Sequence, residues 1–296
     1  MPLRKILFQP GVNKEGTEYS ADAGWYDSDK VRFRKGRPEK IGGWSKYSPE
    51  SFLGVCRSIH DWASLESIRY IGIGTHLKFY VNEGSSFNDV TPIRSTTSAG
   101  DVTFSATNGS STITATDTSH GATVNDFVTF SGSASLGGNV TAAVLNLEYQ
   151  IASVPTANTF TFVAKDSDGN TITANASDSG NGGSSVVGAY QISTGLNTYL
   201  EGTGWGADTF GAGTFGSSSA ISSSNQLRLY TQDNFGEDLI FNVRGGGVYY
   251  WDESSGTSTR AVDLSSLSSP SNTPTGALQV MVSDIDQHVI CFGVNA

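Results

Sequence analysis

Short apolar runs separated by glycine-rich turns constrain the fold of this chain more than any other feature. Typical runs lie at residues 70–73, 160–162 and 239–241. No stretch of a dozen residues has the 3.6-residue apolar period of an amphipathic helix. The 296 residues include 35 glycines, which exceeds the usual share of about 7%. Together these patterns predict an all-β fold built from many short strands.

The composition changes near residues 93 and 192. The stretch between them is rich in Ser, Thr, Ala, Gly and Asn, has no Trp, and has Lys165 as its one basic residue. We therefore predict three parts: a platform beginning at 1–94, an inserted small β-domain at 95–192, and a continuation of the platform at 193–296. Within the insert, the pattern predicts strands at 101–106, 111–116, 127–131, 149–154, 159–164 and 171–174.

An internal repeat links the two flanking parts. Residues 54–74 and 276–293 share the order strand, acidic turn, strand ending in glycine. Residues 75–90 and 238–264 likewise share strands separated by a glycine turn. Short antiparallel strands that recur at a period of a few tens of residues are typical of β-propeller blades. The platform is therefore predicted to be an irregular β-propeller.

Charge is divided unevenly along the chain. Residues 1–94 contain 14 Lys and Arg against 11 Asp and Glu, whereas residues 95–296 contain 4 against 17. The basic side chains cluster in one strand-like segment, where alternation places Lys30, Arg32 and Arg34 opposite Val31 and Phe33. Candidate contact residues are Lys30, Arg32, Arg34, Lys35, Arg37 and Lys40. They are interpreted as a subunit or adaptor interface, as a DNA contact at a channel, or as an ordinary solvated face.

A second candidate contact region is the Gly-aromatic segment 202–216. Trp205, Phe210 and Phe215 offer large apolar contact areas, and the glycines between them permit unusual backbone angles. The segment is predicted to be a docking loop, or alternatively a connection folded back on the propeller.

Catalytic and metal-binding patterns are weak. The sequence His60-Asp61-Trp62 has no accompanying nucleophile pattern, and Asp166–Asn170 has the spacing of a hairpin tip rather than of a calcium loop. We expect no enzymatic activity, no metal and no cofactor.

Cys56 and Cys291 are predicted to be buried free thiols, which fits assembly in a reducing cytoplasm. No segment approaches the ~20 apolar residues of a membrane helix, so no membrane insertion is expected.

Five segments, taken in their order, resemble the tail nozzle (tail tube, or head-to-tail connector) proteins of short-tailed bacteriophages. They lie at 8–19, 24–44, 69–80 with 88–92, 204–216 and 234–252. The insert, over about sixty residues, resembles the small β-barrel of the first catalytic-cysteine half-domain of ubiquitin-activating enzymes. Nozzle proteins are usually longer, so the resemblance implies that further sheet is supplied beyond residue 296 or from elsewhere.

The resemblance implies a virion structural protein of the phage tail, assembled in the bacterial cytoplasm. Its fold would be an irregular β-propeller with an inserted barrel, and six copies would form a ring that extends the DNA ejection channel. The implied partners are other copies, the adaptor and portal, tail fibres or spikes, and transiently DNA. The alternative hypothesis is a receptor- or carbohydrate-binding tail fibre protein, in which Trp205 and Trp251 stack on sugars.

Overall fold

The computed structural model describes residues 9–20, 23–43, 45–176, 178, 180–194, 229–267, 273–283 and 285–294. Strands dominate this part of the chain, and all pairings between named strands are antiparallel. Its helices are the four-residue α1 (Ala142–Leu145) and short 3₁₀ turns at Glu18–Ser20, Gly180–Gly182, Glu253–Ser255 and Leu264–Ser266. None of these described helices has the length and apolar content that crossing a bilayer requires. The predicted all-β fold class is confirmed.

The chain divides into two compact units, Met1–Pro49 and Glu50–Ala296. In the first unit, β1 (Val31–Arg34) and β2 (Arg37–Lys40) form a two-stranded hairpin. The ring of Phe33 packs 6.1 Å from that of Trp25. This aromatic contact covers one face of the hairpin and leaves the other to the solvent.

The second unit begins with a four-stranded meander. Its strands pair in chain order as β3 (Cys56–Ala63), β4 (Arg69–Thr75), β5 (Phe79–Glu83) and β6 (Ser86–Asp89). Cys56 is exposed rather than buried as predicted. The register between β3 and β4 shifts between Cys56 and Ser58, which breaks the inward and outward alternation at the start of the strand.

Two four-stranded sheets follow. One contains β7 (Ile93–Thr96), β10 (Phe127–Ser131), β11 (Glu148–Gln150) and β14 (Val187–Gln191), in the order β11-β10-β14-β7. The other contains β8 (Thr103–Ala106), β9 (Thr112–Thr116), β12 (Ser153–Thr156) and β13 (Thr159–Val163), in the order β12-β13-β9-β8. Aromatic rings from both sheets form a shared core, in which Phe104 lies 4.8 Å from Phe130 and Tyr149 lies 4.3 Å from Phe162.

The predicted small β-barrel is not closed in the described residues, where both sheets remain open. β12 is an edge strand, and its Pro155 has no N–H with which to bond a further neighbour. The predicted strand 149–154 is divided at Ile151 and Ala152, where the chain passes from one sheet to the other. The predicted strand 171–174 is reduced to an isolated bridge between Lys165 and Thr171. The boundaries 95–192 stay a prediction.

A second four-stranded meander lies later in the chain. Its strands pair in chain order as β15 (Tyr230–Phe235), β16 (Asp238–Val243), β17 (Val248–Trp251) and β18 (Val262–Asp263). It packs face to face against the first meander. The rings of Phe79 and Phe241 stack at 3.8 Å between the sheets, and the indole of Trp62 donates to the carbonyl of Glu237 at 2.8 Å.

A third sheet lies on the other face of the second meander. It is a hairpin of β19 (Gln279–Ser283) and β20 (His288–Phe292). Ile240 and Val248 of the second meander share a core with Val280 and Val282 of this hairpin. β16 is therefore covered on both faces, since Leu239 and Phe241 point into the first interface. The predicted repeat of hairpins at 54–74 and 276–293 is confirmed, whereas closure into a propeller stays a prediction.

The close approach of the two meanders yields the first testable prediction. A Cβ added at Gly74 would lie 2.5 Å from Cδ2 of Tyr230 and 2.6 Å from Oγ of Ser58, so the sheets would have to separate. Overpacking of this kind costs about 1–3 kcal/mol. We expect Gly74→Ala to lower the free energy of unfolding by that amount in a urea titration.

Gly43→Ala is the matched control, because a Cβ there meets no atom within 4 Å. Its free energy of unfolding should stay within about 0.5 kcal/mol of the unsubstituted protein. If both alanine variants are equally stable, the two sheets are not in close contact at Gly74.

Candidate functional site

The candidate site is the β1–β2 hairpin, and its turn determines which charges meet. Lys35 and Gly36 form a two-residue turn with positive φ at both positions, 49° and 75°. This is the arrangement of a type I′ turn, whose twist matches that of paired strands. The turn places Arg34 directly opposite Arg37, so three cations occupy the four residues of the hairpin tip.

The strand register places the six predicted contact residues on different faces of the hairpin and, for two of them, outside its strands. Arg32 lies opposite Glu39 and Arg34 opposite Arg37, so these four share one face. Lys40 lies opposite Val31 and therefore belongs to the other face. The alternation of Arg32 and Arg34 against Val31 and Phe33 is as predicted. Lys30 precedes the strand at a φ of 55°, and its ammonium is 3.8 Å from Asp29.

The basic side chains at the hairpin tip differ from Arg32 in having no ion-pair partner among the described residues. Arg32 donates to Oε2 of Glu39 at 3.3 Å. Arg34, Lys35 and Arg37 have no carboxylate partner among the described residues. These three side chains and Glu39 line a shallow open concavity. The tip thus carries three exposed positive charges that no described acidic group of the chain neutralises.

The other predicted contact residues, Trp205, Phe210 and Phe215, lie outside the described residues. Trp251, the described member of the sugar-stacking pair, is only 1% exposed, so its ring has no free face for a sugar. His60 lies on β3, where its ring stacks 5.9 Å from that of Trp62.

Asp166–Asn170 forms the hairpin tip that the sequence predicts. The Asp166 carboxylate accepts from the amides of Asp168 and Asn170 at 3.0 and 2.8 Å, and Gly169 has a φ of 85°. Hydrogen bonds from Asn170 lower the pKa of Asp166 below its usual value. Throughout the described ranges, no three His, Cys, Asp or Glu side chains come together as a metal site.

A cluster of four charges joins three distant parts of the second unit, and sequence reasoning missed it. Lys78, at the start of β5, bonds Oδ2 of Asp89 at 2.6 Å and also the carboxylate of Glu148 on β11. Arg260 lies 3.3 Å from Asp89 and 3.2 Å from Glu148. The Lys78 ammonium also lies 4.5 Å from the centre of the Phe127 ring. A lysine inside the apolar run 77–81 was the signal available in the sequence.

The four-charge cluster determines the ionisation of Asp89. Burial by itself raises the pKa of this carboxyl, but Lys78 and Arg260 outweigh burial and hold the pKa below its ordinary value of 3.8. Asp89 is therefore ionised at neutral pH. The cluster fixes the sheet that contains β11 to the first meander by charge as well as by packing.

No protein-family model matches this sequence. No curated protein matches it either. Among solved structures, the chain is similar to the phage phi92 endosialidase at 13% sequence identity and a TM-score of 0.25. The similarity covers 75% of this chain and 31% of that one, so the chain spans about a third of that structure. A TM-score this low supports no conclusion about fold or function.

Removing the buried Lys78 ammonium should lower the free energy of unfolding. Lys78 is only 5% exposed in its side chain, and Lys78→Met would leave two carboxylates with Arg260 as their one remaining cation in the cluster. Breaking a buried ion pair costs on the order of 3 kcal/mol. We expect that loss of unfolding free energy in urea. The exposed Lys165→Met is the control, and equal stability of the two variants would contradict a structural role for the cluster.

The low pKa of Asp89 also predicts a pH dependence. A carboxyl whose folded pKa is depressed contributes stability above its unfolded pKa, here 3.8, and loses it as pH falls through the lower folded value. The stability difference between the wild type and Asp89→Asn should be constant from pH 7 to about pH 5 and shrink below about pH 4. Urea titrations at successive pH values measure it, and a difference unchanged at pH 3 would contradict the prediction.

Proposed function

We propose that this chain is a subunit of the tail nozzle ring of a short-tailed bacteriophage. In this proposal it is a virion structural protein that extends the DNA ejection channel below the portal and adaptor. The observation that carries the proposal is the stack of three antiparallel sheets in the second unit, each packed face to face on the next. Stacked meanders of this kind are the building units of β-propellers, which is the fold that the resemblance to nozzle proteins implies.

The proposed ring is a homohexamer held by head-to-tail contacts, in which one surface of each copy meets a different surface of the next. Such a ring needs rigid subunits, and a central strand buried on both faces, as β16 is, supplies rigidity. The proposal assigns subunit or adaptor contacts to residues 8–44, apart from the three cations at the tip of the basic hairpin. The predicted insert at 95–192 would decorate the tube and dock fibres or spikes.

The charge balance supports a conduit for DNA. Residues 95–296 contain 4 Lys and Arg against 17 Asp and Glu. An acidic or polar lining does not pair with phosphates, so DNA can move past it without being retained. The proposed location of the protein is therefore the virion tail, following assembly in the bacterial cytoplasm.

The alternative, a carbohydrate-binding tail fibre protein, loses one of its two candidate stacking residues because Trp251 is buried. A glycan array separates the two functions. A nozzle subunit should bind no glycan on the array, whereas a receptor-binding fibre protein should bind a defined set.

Cryo-electron microscopy of intact virions tests the proposal directly. We expect this chain in a sixfold ring around the axial DNA, immediately below the adaptor. Density for the chain in the fibres or in the capsid would overturn the assignment.

Deletion of residues 8–44 tests how the ring is held. We expect the shortened chain to stay monomeric in native mass spectrometry, because it lacks the proposed contact segment. The core between Val102 and Tyr190 should keep its slow amide hydrogen exchange, since that cluster is built without the deleted residues. Rings that form without residues 8–44 would show that the segment contributes no essential contact.

A further inference from the structure

The tip of the β1–β2 hairpin holds like charges in an unfavourable arrangement. Arg34 and Arg37 are direct cross-strand neighbours, and like charges at such positions destabilise a sheet. Lys35 adds a third cation in the turn between them. An anion bound at the tip would remove this repulsion and gain charge-assisted hydrogen bonds from both guanidinium groups.

We propose that this tip, made of Arg34, Lys35 and Arg37, binds the phosphodiester backbone of double-stranded DNA without sequence preference. The inference deepens the proposed function, on which it rests for the presence of DNA beside the protein. The two guanidinium groups would each hold phosphate oxygens through their paired N–H donors, and the lysine would act as a point charge.

Three cations within four residues favour a ligand with closely spaced negative groups. Double-stranded DNA carries one charge per about 1.7 Å of helix axis, so neighbouring phosphates can serve all three side chains together. The shape of the site agrees with this ligand, because a two-stranded β-ribbon is narrow enough to enter the major groove. Phe33, which packs against Trp25, lies on the opposite face of the hairpin from Arg34 and Arg37.

The distribution of charge along the chain favours DNA contact by the first unit alone. Met1–Pro49 contains 10 Lys and Arg against 6 Asp and Glu, whereas Glu50–Ala296 contains 8 against 22. Phosphates are repelled by the acidic unit and attracted by the basic one. The contact is therefore small, strongly dependent on salt and quickly released, as DNA in transit requires.

The test uses the full chain and a fluorescently labelled duplex of random sequence, with binding followed by anisotropy between 50 and 200 mM NaCl. For three phosphate contacts, log K should fall against log salt with a slope of about −2.7, a loss of roughly 40-fold over this range. Inorganic phosphate at 10 mM and vesicles containing phosphatidylserine are the competing anions. Inorganic phosphate should compete poorly because it is a single small anion. Vesicles that compete as well as unlabelled duplex would make the tip a membrane contact and overturn the inference.

Arg34→Gln with Arg37→Gln leaves Lys35 as the single contact at the tip. The slope should fall to about −0.9, and with equal affinity at 1 M salt the affinity at 50 mM should drop by roughly 200-fold. Lys46→Gln with Lys165→Gln removes the same charge from exposed positions elsewhere and should leave both values unchanged. All four side chains are exposed, and circular dichroism verifies that both double variants are folded.

Three further results would overturn the inference. The first is absence of DNA binding at 50 mM salt, and the second is equal loss of binding in the two double variants. The third is salt-sensitive self-association that requires Arg34 and Arg37 while DNA does not bind, which would make the tip a protein contact. None of them affects the nozzle assignment, which depends on where the chain lies in the virion.

Discussion

The face-to-face contact between the two meanders is the interaction on which the rest of the second unit depends. Phe79 and Phe241 stack at its centre, and Trp62 closes one end by its bond to Glu237. With the first meander on one face of β16, the other face is free to receive the β19–β20 hairpin. Glycines at 72 and 74 bring the sheets together, because any larger residue would strike Gln232 or Tyr230.

Two different kinds of force hold the two open sheets of residues 93–191. Their own stability comes from an aromatic core that draws on both sheets. Their attachment to the first meander adds charge to packing, through Lys78, Asp89, Glu148 and Arg260. Burial drives folding without specifying direction, whereas ion pairs with fixed geometry specify orientation. The aromatic core therefore stabilises these sheets internally, and the ion pairs hold them in one orientation.

Local patterns in the sequence were sufficient for the fold class, the hairpin repeat and most strands of the insert. Strand 127–131 has the predicted bounds, and the alternation of Arg32 and Arg34 against Phe33 is correct. Sheet membership was not predictable, because the chain changes sheets at Ile151 and Ala152 inside a segment whose pattern is that of one continuous strand. The four-charge cluster joins residues up to 182 positions apart. Arg34 lies opposite Arg37 because Lys35 and Gly36 form a two-residue turn. That turn requires a positive φ at Lys35, which the residue type alone does not predict.

The pairing of β7 with β14 has a consequence for how the chain folds. The amide of Ile192 bonds the carbonyl of Pro92 at 3.0 Å, so the two ends of a hundred-residue stretch lie side by side. Once that stretch has folded, its residues no longer count as free chain between the two meanders. The entropy of closing the loop between Phe79 and Phe241 is then set by far fewer free residues than their separation in sequence implies. If this stretch folds first, the slow, non-local step of assembling the sheet stack becomes faster.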